Sequence, residues 1–281
     1  MSLFGHDISA RIIAKAFYKA DCVTRREIVN REIITESSER DMVSNICTRI
    51  RDKMRNPFMS SLSIKAHPHG RDTQQRDALF VFRYKNTVKA GIFEAKYLRI
   101  DNQPMTKIWD QVQPHAQNSH FTNQVINQQQ WIPAMFVWDM FMPNCPIGAH
   151  SPSLDAEGSS CIWADEMINH PNIQNPTKLW DFNDMLTATP QYLSLYDIVY
   201  EILSCKKGIK HEIDSGTKTV NVKSNMDRRM DIPVPTQYGW GKDIYSRVRE
   251  FLIEHNLLQY NYYNFLNPKQ LDEFWTANPI E

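Results

Sequence analysis

Three residues in the first third of the chain have the types and spacing for phosphate chemistry: Asp77, Glu94 and Lys96. They lie in DALFVFRYKNTVKAGIFEAK, which reads as two strands and a tight turn, with apolar and aromatic residues dense on both sides of a Lys-Asn-Thr break. A two-residue loop at Asn86-Thr87 sets Asp77 opposite Lys96 and Leu79 opposite Glu94. Strand side chains repeat with period two, so the two acids and the lysine share one face. Adjacent carboxylates repel unless a cation sits between them. Mg²⁺ suits such a pair, because it takes oxygen ligands and keeps waters for chemistry, and Mn²⁺ can substitute for it. A lysine beside it can hold an attacking water or stabilise charge on phosphate.

The elements around the pair must present it. A helix is expected from Ser37/Ser38, where ESSERDMVSNICTRIRDKM carries a capping-box-like start, Ser38-x-x-Asp41. Met42, Val43, Ile46, Ile50 and Met54 form its buried stripe, and Glu39 lies at the edge of that stripe. FMSSLSIKA (58–66) alternates as a strand does. After Lys96 a Gln- and Asn-rich helical stretch offers Gln111, Gln113, His120 and Gln124 for contacts to phosphate or water, with Pro114 marking a helix start. WIPAMFVWDMF (131–141) is a continuous apolar run, as expected of a buried strand. The order is α-β-β-β-α-β.

This pattern resembles the PD-(D/E)xK nuclease superfamily, the fold of many restriction enzymes and Holliday-junction resolvases. Its core pattern is an acid on a first helix, an Asp opening a strand, and Glu-x-Lys on the next strand. Glu94-Ala95-Lys96 matches the last element and Asp77, seventeen residues earlier, the second. Arg76 stands where the family usually has Pro, which leaves Asp72 as a competitor. The Glu39-Arg40 helix opening is similar to that of archaeal-type junction resolvases, so Glu39 stands for the first acid, with Glu36 as the alternative. The resemblance implies an α/β restriction-endonuclease-like core with a mixed sheet between helices. It implies metal ligation by Asp77, Glu94, the Ala95 carbonyl and Glu39, catalysis by Lys96, and a supporting Gln, for which Gln111 is preferred. The implied protein is a Mg²⁺-dependent DNA endonuclease of restriction, phage defence or repair. The alternatives are a non-catalytic nucleic-acid-binding or assembly module and an RNase. One such site cuts one strand, so double-strand cleavage implies a homodimer.

The remaining sequence bounds this reading. The 281 residues are 42% hydrophobic with a net charge of zero. Lys and Arg outnumber Asp and Glu 19 to 11 over residues 1–100 and trail 13 to 21 beyond, so the half with the Glu-x-Lys is basic, as a polyphosphate-binding surface is. No run approaches the ~18 apolar residues of a membrane helix. Met1 to Asp7 does not read as a signal peptide, and the five scattered cysteines lack a C-x-x-C, which together predict a cytoplasmic protein with reduced thiols. There is no P-loop, no G-x-S-x-G, and no second His after His211-Glu212, so no nucleotide cofactor is expected.

The expected organisation is an N-terminal helical segment at 1–36, a nuclease core at 37–145, and a mainly helical region at 146–281 that can complete the same domain. Two short helices are expected over 6–34, the second opened by Thr24-Arg25-Arg26-Glu27, a pair that a helix-turn-helix also has. His67 and His69 read as loop histidines. Beyond residue 160, a helix is expected at 192–207, a hairpin at 209–223 turning at Asp214-Ser215-Gly216, and helices at 242–256 and 268–277. Arg228 and Arg229 could touch a backbone there, and Tyr238 and Trp240 could stack on bases.

Overall fold

The computed structural model describes residues 3, 7–29, 39–54, 63–68, 77–96, 110, 112, 117–142, 158–188, 192–214 and 216–234. The expected helices at 242–256 and 268–277, and Tyr238 and Trp240, lie outside them, as do Gln111, Gln113, Asp72, Glu36 and His69.

The chain builds a mixed α/β sheet in the order β1-β2-β3-β4-β5, with a short sixth strand at one end of β3. Strands β2 (Ala78–Tyr84) and β3 (Thr87–Lys96) form the hairpin that the apolar pattern predicts. Nearly every residue in both is buried, because helices or a second ribbon cover both faces of the sheet. The loop is Lys85-Asn86, with Tyr84 paired to Thr87, one residue earlier than expected. Lys85 takes the left-handed φ of 52°. Thr87 instead extends the strand, and its hydroxyl bonds Glu212 at 3.2 Å. The pairing thereby moves by two residues. An even shift keeps every side chain on its expected face and changes only which residues are opposite.

Strand β1 (Ser63–Pro68) pairs antiparallel with β2, and β4 (Phe136–Phe141) parallel with β3. Strand β4 is shorter than the apolar run predicted. Trp131 to Met135 form turns, with Trp131 N–H donating to Gln128 O at 2.9 Å and Met135 N–H to Trp131 O at 2.9 Å. Trp131, Ala134 and Met135 are apolar because they are buried under the sheet, not because they are strand. Strand β5 (Ser160–Trp163) runs antiparallel on β4, and β6 (His211–Glu212) on the start of β3. The hairpin expected at 209–223 therefore does not form. β6 goes to the main sheet, and β7 (Thr219–Lys223) pairs with β8 (Arg229–Pro233) as a separate ribbon.

One face of the sheet carries Phe80, Phe82, Phe93, Phe136 and Trp138, a set of aromatic rings whose nearest pair, Phe93 and Trp138, has centroids 5.0 Å apart. Helices α1 (Asp7–Val29), α2 (Glu39–Met54) and α7 (Leu195–Leu203) share this cluster. Helix α1 is one helix where two were expected, and no helix-turn-helix lies in it. The Thr24 hydroxyl, expected to cap a new start, donates to Ala20 O at 2.9 Å inside the continuous helix. Helix α2 follows the predicted stripe of Met42, Val43, Ile46 and Ile50. Helix α7 lies within the amphipathic stretch expected at 192–207 but is shorter, and it opens on a capping box, Ser194 with Asp197.

The opposite face carries Leu79, Val81, Val88, Ala90, Ile92 and Val137 against the β7–β8 ribbon. At the far end of β3 and β4 this face is covered by α3 (His120–Gln129), through Phe121, Val125, Phe141 and Ile162. Ser119 caps α3 by accepting from Thr122 N–H at 2.9 Å. Buried Asp110 accepts from Phe121 N–H at 3.0 Å and from the Ser119 hydroxyl. Helix α3 therefore starts at this cap, and Pro114, expected to mark a helix start, lies outside the described residues. Three short helices, α4 (Ala164–Met167), α5 (Pro171–Gln174) and α6 (Phe182–Ala188), pack beyond it. Among the described residues no helix is long and apolar enough to cross a membrane, and Cys161 and Cys205 are free thiols.

Candidate active site at the end of the central strands

Glu94 and Lys96 stand two residues apart on β3, and so project from the same face, the one α3 covers. Both are buried, at 4% and 8% exposure. Lys96 Nζ donates to Glu94 Oε1 at 2.7 Å. Gln124, on the buried side of α3, donates its amide to the same oxygen. Of the polar residues expected to serve the site from this region, Gln124 is the one whose contact with Glu94 is formed. Gln111, the preferred one, lies outside the described residues.

Asp77 sits one residue before β2 and is only partly buried. Its N–H donates to Phe93 O at 3.0 Å, one residue out of step with the Ala78–Phe93 pairing. Its carboxylate Oδ2 accepts from Ala95 N–H at 2.6 Å. Asp77 is thus fastened to the backbone on both sides of Glu94. A local departure of this kind from the ladder re-aims a side chain. Asp77, Glu94 and Lys96 come together at one end of the hairpin.

Glu39 opens α2, whose buried stripe packs on the aromatic face of the sheet with Phe93 and Ala95, opposite to the face of Glu94. The side chain of Glu39 lies outside the described residues.

A fourth ionisable group joins the end of the sheet. Asp139 is the register partner of Glu94 in the parallel β3–β4 pairing and is fully buried. Among the described residues neither of its oxygens has a hydrogen-bond partner within 3.5 Å, although the Gln128 side chain is close enough to act on it. Burial pushes its carboxyl up to about 7; the charge of Lys96 and the nearby Gln128 amide pull it down, and the charge of Asp77 adds to the rise. The influence of both Asp77 and Lys96 places all four groups in one electrostatic neighbourhood. The sequence signal was present: a lone Asp inside WIPAMFVWDMF, where an apolar residue would cost nothing. It was absorbed into the reading of a continuous apolar strand.

Among the described residues, no three His, Cys, Asp or Glu side chains converge as a metal-binding group. The donors nevertheless have the chemistry Mg²⁺ takes. They are oxygens only, with two carboxylates beside each other, and Mg²⁺ commonly uses one or two carboxylates with water completing its shell.

Comparison with protein-family models, curated proteins and solved structures finds no match to this chain. What the site does must follow from its residues.

Proposed function

We propose that this protein is a divalent-metal-dependent endonuclease that hydrolyses phosphodiester bonds in DNA, with a restriction-endonuclease-like core of the PD-(D/E)xK kind, working inside the cell in restriction, phage defence or repair. The observation that carries the reading is the gathering of Asp77, Glu94 and Lys96 at one end of the β2–β3 hairpin. It is supported by the element order α2-β1-β2-β3-α3-β4, which is the order the resemblance implies.

Asp77, Glu94 and the Ala95 carbonyl would hold Mg²⁺, which when bound supplies Lewis acidity and a more acidic water. Lys96 orients the attacking water and stabilises negative charge on the phosphate as water adds in line. Gln124 holds Glu94 in place through its amide. Burial around Lys96 and Glu94 raises the electrostatic worth of each group over its worth in water.

The test is incubation of purified protein with supercoiled, linear, branched and single-stranded DNA and with RNA, with Mg²⁺ or Mn²⁺ and with EDTA. Cleavage that needs the metal and falls ~10²–10³-fold on Lys96→Ala supports the reading. A second reading, a non-catalytic nucleic-acid-binding module, has one observation in its favour. Lys96 and Gln124 both bond one oxygen of Glu94, so that oxygen is already occupied within the protein. Nucleic-acid binding without cleavage under any metal would select it, and cleavage of RNA alone would select an RNase.

A further inference from the structure

The β7–β8 ribbon carries an inference that deepens the proposed function and rests on it for the choice of substrate. Strand alternation gives the ribbon two unlike faces. Val222, Met230 and Ile232 are buried against the main sheet, with Val220 packed beside them. The alternate residues Asn221, Lys223, Arg229 and Asp231 are exposed, and the register sets Asn221 opposite Asp231 and Lys223 opposite Arg229. The outer face is therefore a strip of side chains that donate and accept hydrogen bonds.

The charge of this strip runs against its surroundings. Residues 216–234 hold four Lys and Arg against two Asp, in a part of the chain (101–281) where acids outnumber bases 21 to 13. Both acids are engaged on the ribbon itself. Asp227 pairs with Lys223 at 2.6 Å, and Asp231 accepts from the Asn221 amide at 2.8 Å. Arg228 and Arg229 are exposed, and among the described residues neither guanidinium has an ion-pair partner.

The tip of the ribbon is fixed in advance. Ser224, 4% exposed, accepts at its hydroxyl from Met226 N–H at 3.2 Å and from Arg228 N–H at 3.1 Å, and its own N–H donates to Arg228 O at 2.8 Å. Asn225 N–H donates to Gln130 O at 3.1 Å, which ties the tip to the C-cap of α3. Gln130 is six residues beyond Gln124, about 9 Å along the helix axis, so the tip and the Glu94 site are anchored to one helix. Met226 is 69% exposed on this turn, where polar residues or glycine are usual. A tip already ordered saves that part of the entropy cost of binding.

We infer that the outer face of the β7–β8 ribbon lies in the major groove of duplex DNA, with Arg228 and Arg229 on the phosphates and Asn221, Lys223 and Met226 toward the base edges. The major groove of DNA admits a two-stranded ribbon, whereas the deep, narrow one of an RNA duplex does not. Five paired residues at about 3.4 Å each span roughly 17 Å, the length of about five base pairs.

The experiment measures binding of the whole chain to fluorescein-labelled duplex DNA by anisotropy over a series of salt concentrations, in EDTA and again with Ca²⁺. Arg228→Ala/Arg229→Ala should weaken binding by about tenfold or more and lower the slope of log affinity against log salt by about two. Arg228→Lys/Arg229→Lys should keep the slope. Lys206→Ala removes an exposed charge just after α7, the helix on the aromatic face of the sheet, and should leave binding unchanged. Methyl green, a major-groove ligand, should displace the protein, and netropsin, a minor-groove ligand, should not. An arginine-to-alanine double variant that binds like the wild type overturns the inference. So does displacement by netropsin alone, tighter binding to duplex RNA than to duplex DNA, or a wild type with no saturable DNA binding. Cleavage assays with Mg²⁺ or Mn²⁺ run in parallel keep the two proposals apart. Duplex binding that needs the two arginines, without any cleavage, sinks the nuclease reading and leaves this one standing. Metal-dependent cleavage with binding indifferent to the arginines does the reverse.

Discussion

Glu94 and Asp139 face the same way from paired positions on parallel strands, yet only Glu94 is bonded to Lys96 and Gln124. Asp139 has no such bond, and its carboxyl is pushed up to about 7 by burial. One pairing thus sets an acid bonded to Lys96 beside one that feels the same ammonium only at longer range.

The Glu94–Lys96 pair should be strongly coupled. Its side chains are 5% and 10% exposed, so removing one partner leaves the other charge buried without its mate. Lys96→Met should cost roughly 3–5 kcal/mol of stability, and Glu94→Gln/Lys96→Met clearly less than the two single changes added together. Urea unfolding of the four proteins in a double-mutant cycle measures this, and additive losses would show that the pair does not act as a unit.

Asp21 should make stability fall with rising pH. It is fully buried on α1 and accepts from Ser159 N–H at 2.7 Å and from its hydroxyl at 2.6 Å. Burial outweighs these bonds and raises its carboxyl from 3.8 to about 6. The folded state then holds a proton that the unfolded chain releases near pH 4. Stability is fully present below that value and declines as pH rises through about 6. The loss is on the order of 2–3 kcal/mol. Asp21→Asn should flatten that window, which unfolding at pH 4.5 and pH 7 would reveal as a change in the wild-type-to-variant difference.

Gly91 should tolerate no side chain. It pairs with Phe136 across the β3–β4 junction, and a Cβ built there falls within the Phe136 ring. That ring is packed against Phe82 and Trp138, with centroids 5.9 and 5.8 Å away, so it has no easy retreat. Gly91→Ala should cost about 1–3 kcal/mol, and Phe136→Leu in the same chain should restore part of it. A thermal shift of the single and double variants checks both statements.

Much of the frame could be read from residue pattern alone. The hairpin followed from two apolar runs and a polar break, α2 from the spacing of Met42, Val43, Ile46 and Ile50, and α7 from its amphipathic stripe. The faces of Glu94 and Lys96 were readable because period two survives an even slip of register. What escaped depends on contacts distant in sequence. Thr24 looks like a cap until the helix around it is seen to be continuous. The segment at His211 looks like half a local hairpin until β3 claims it. Asp139 looks like an interruption in a hydrophobic strand until Glu94 is placed beside it. None of these choices has a local signature, because each is decided by which partner wins.

The parallel join of β3 to β4 also has a bearing on when the protein becomes competent. The hairpin and β1 are neighbours in sequence and can assemble early, but Asp139 and the α3 amides reach Glu94 only when the long β3-to-β4 crossover closes. Before that closure the hairpin holds Asp77, Glu94 and Lys96 without Asp139 or the α3 amides beside them. The surroundings of Glu94 are therefore completed by one of the later pairings.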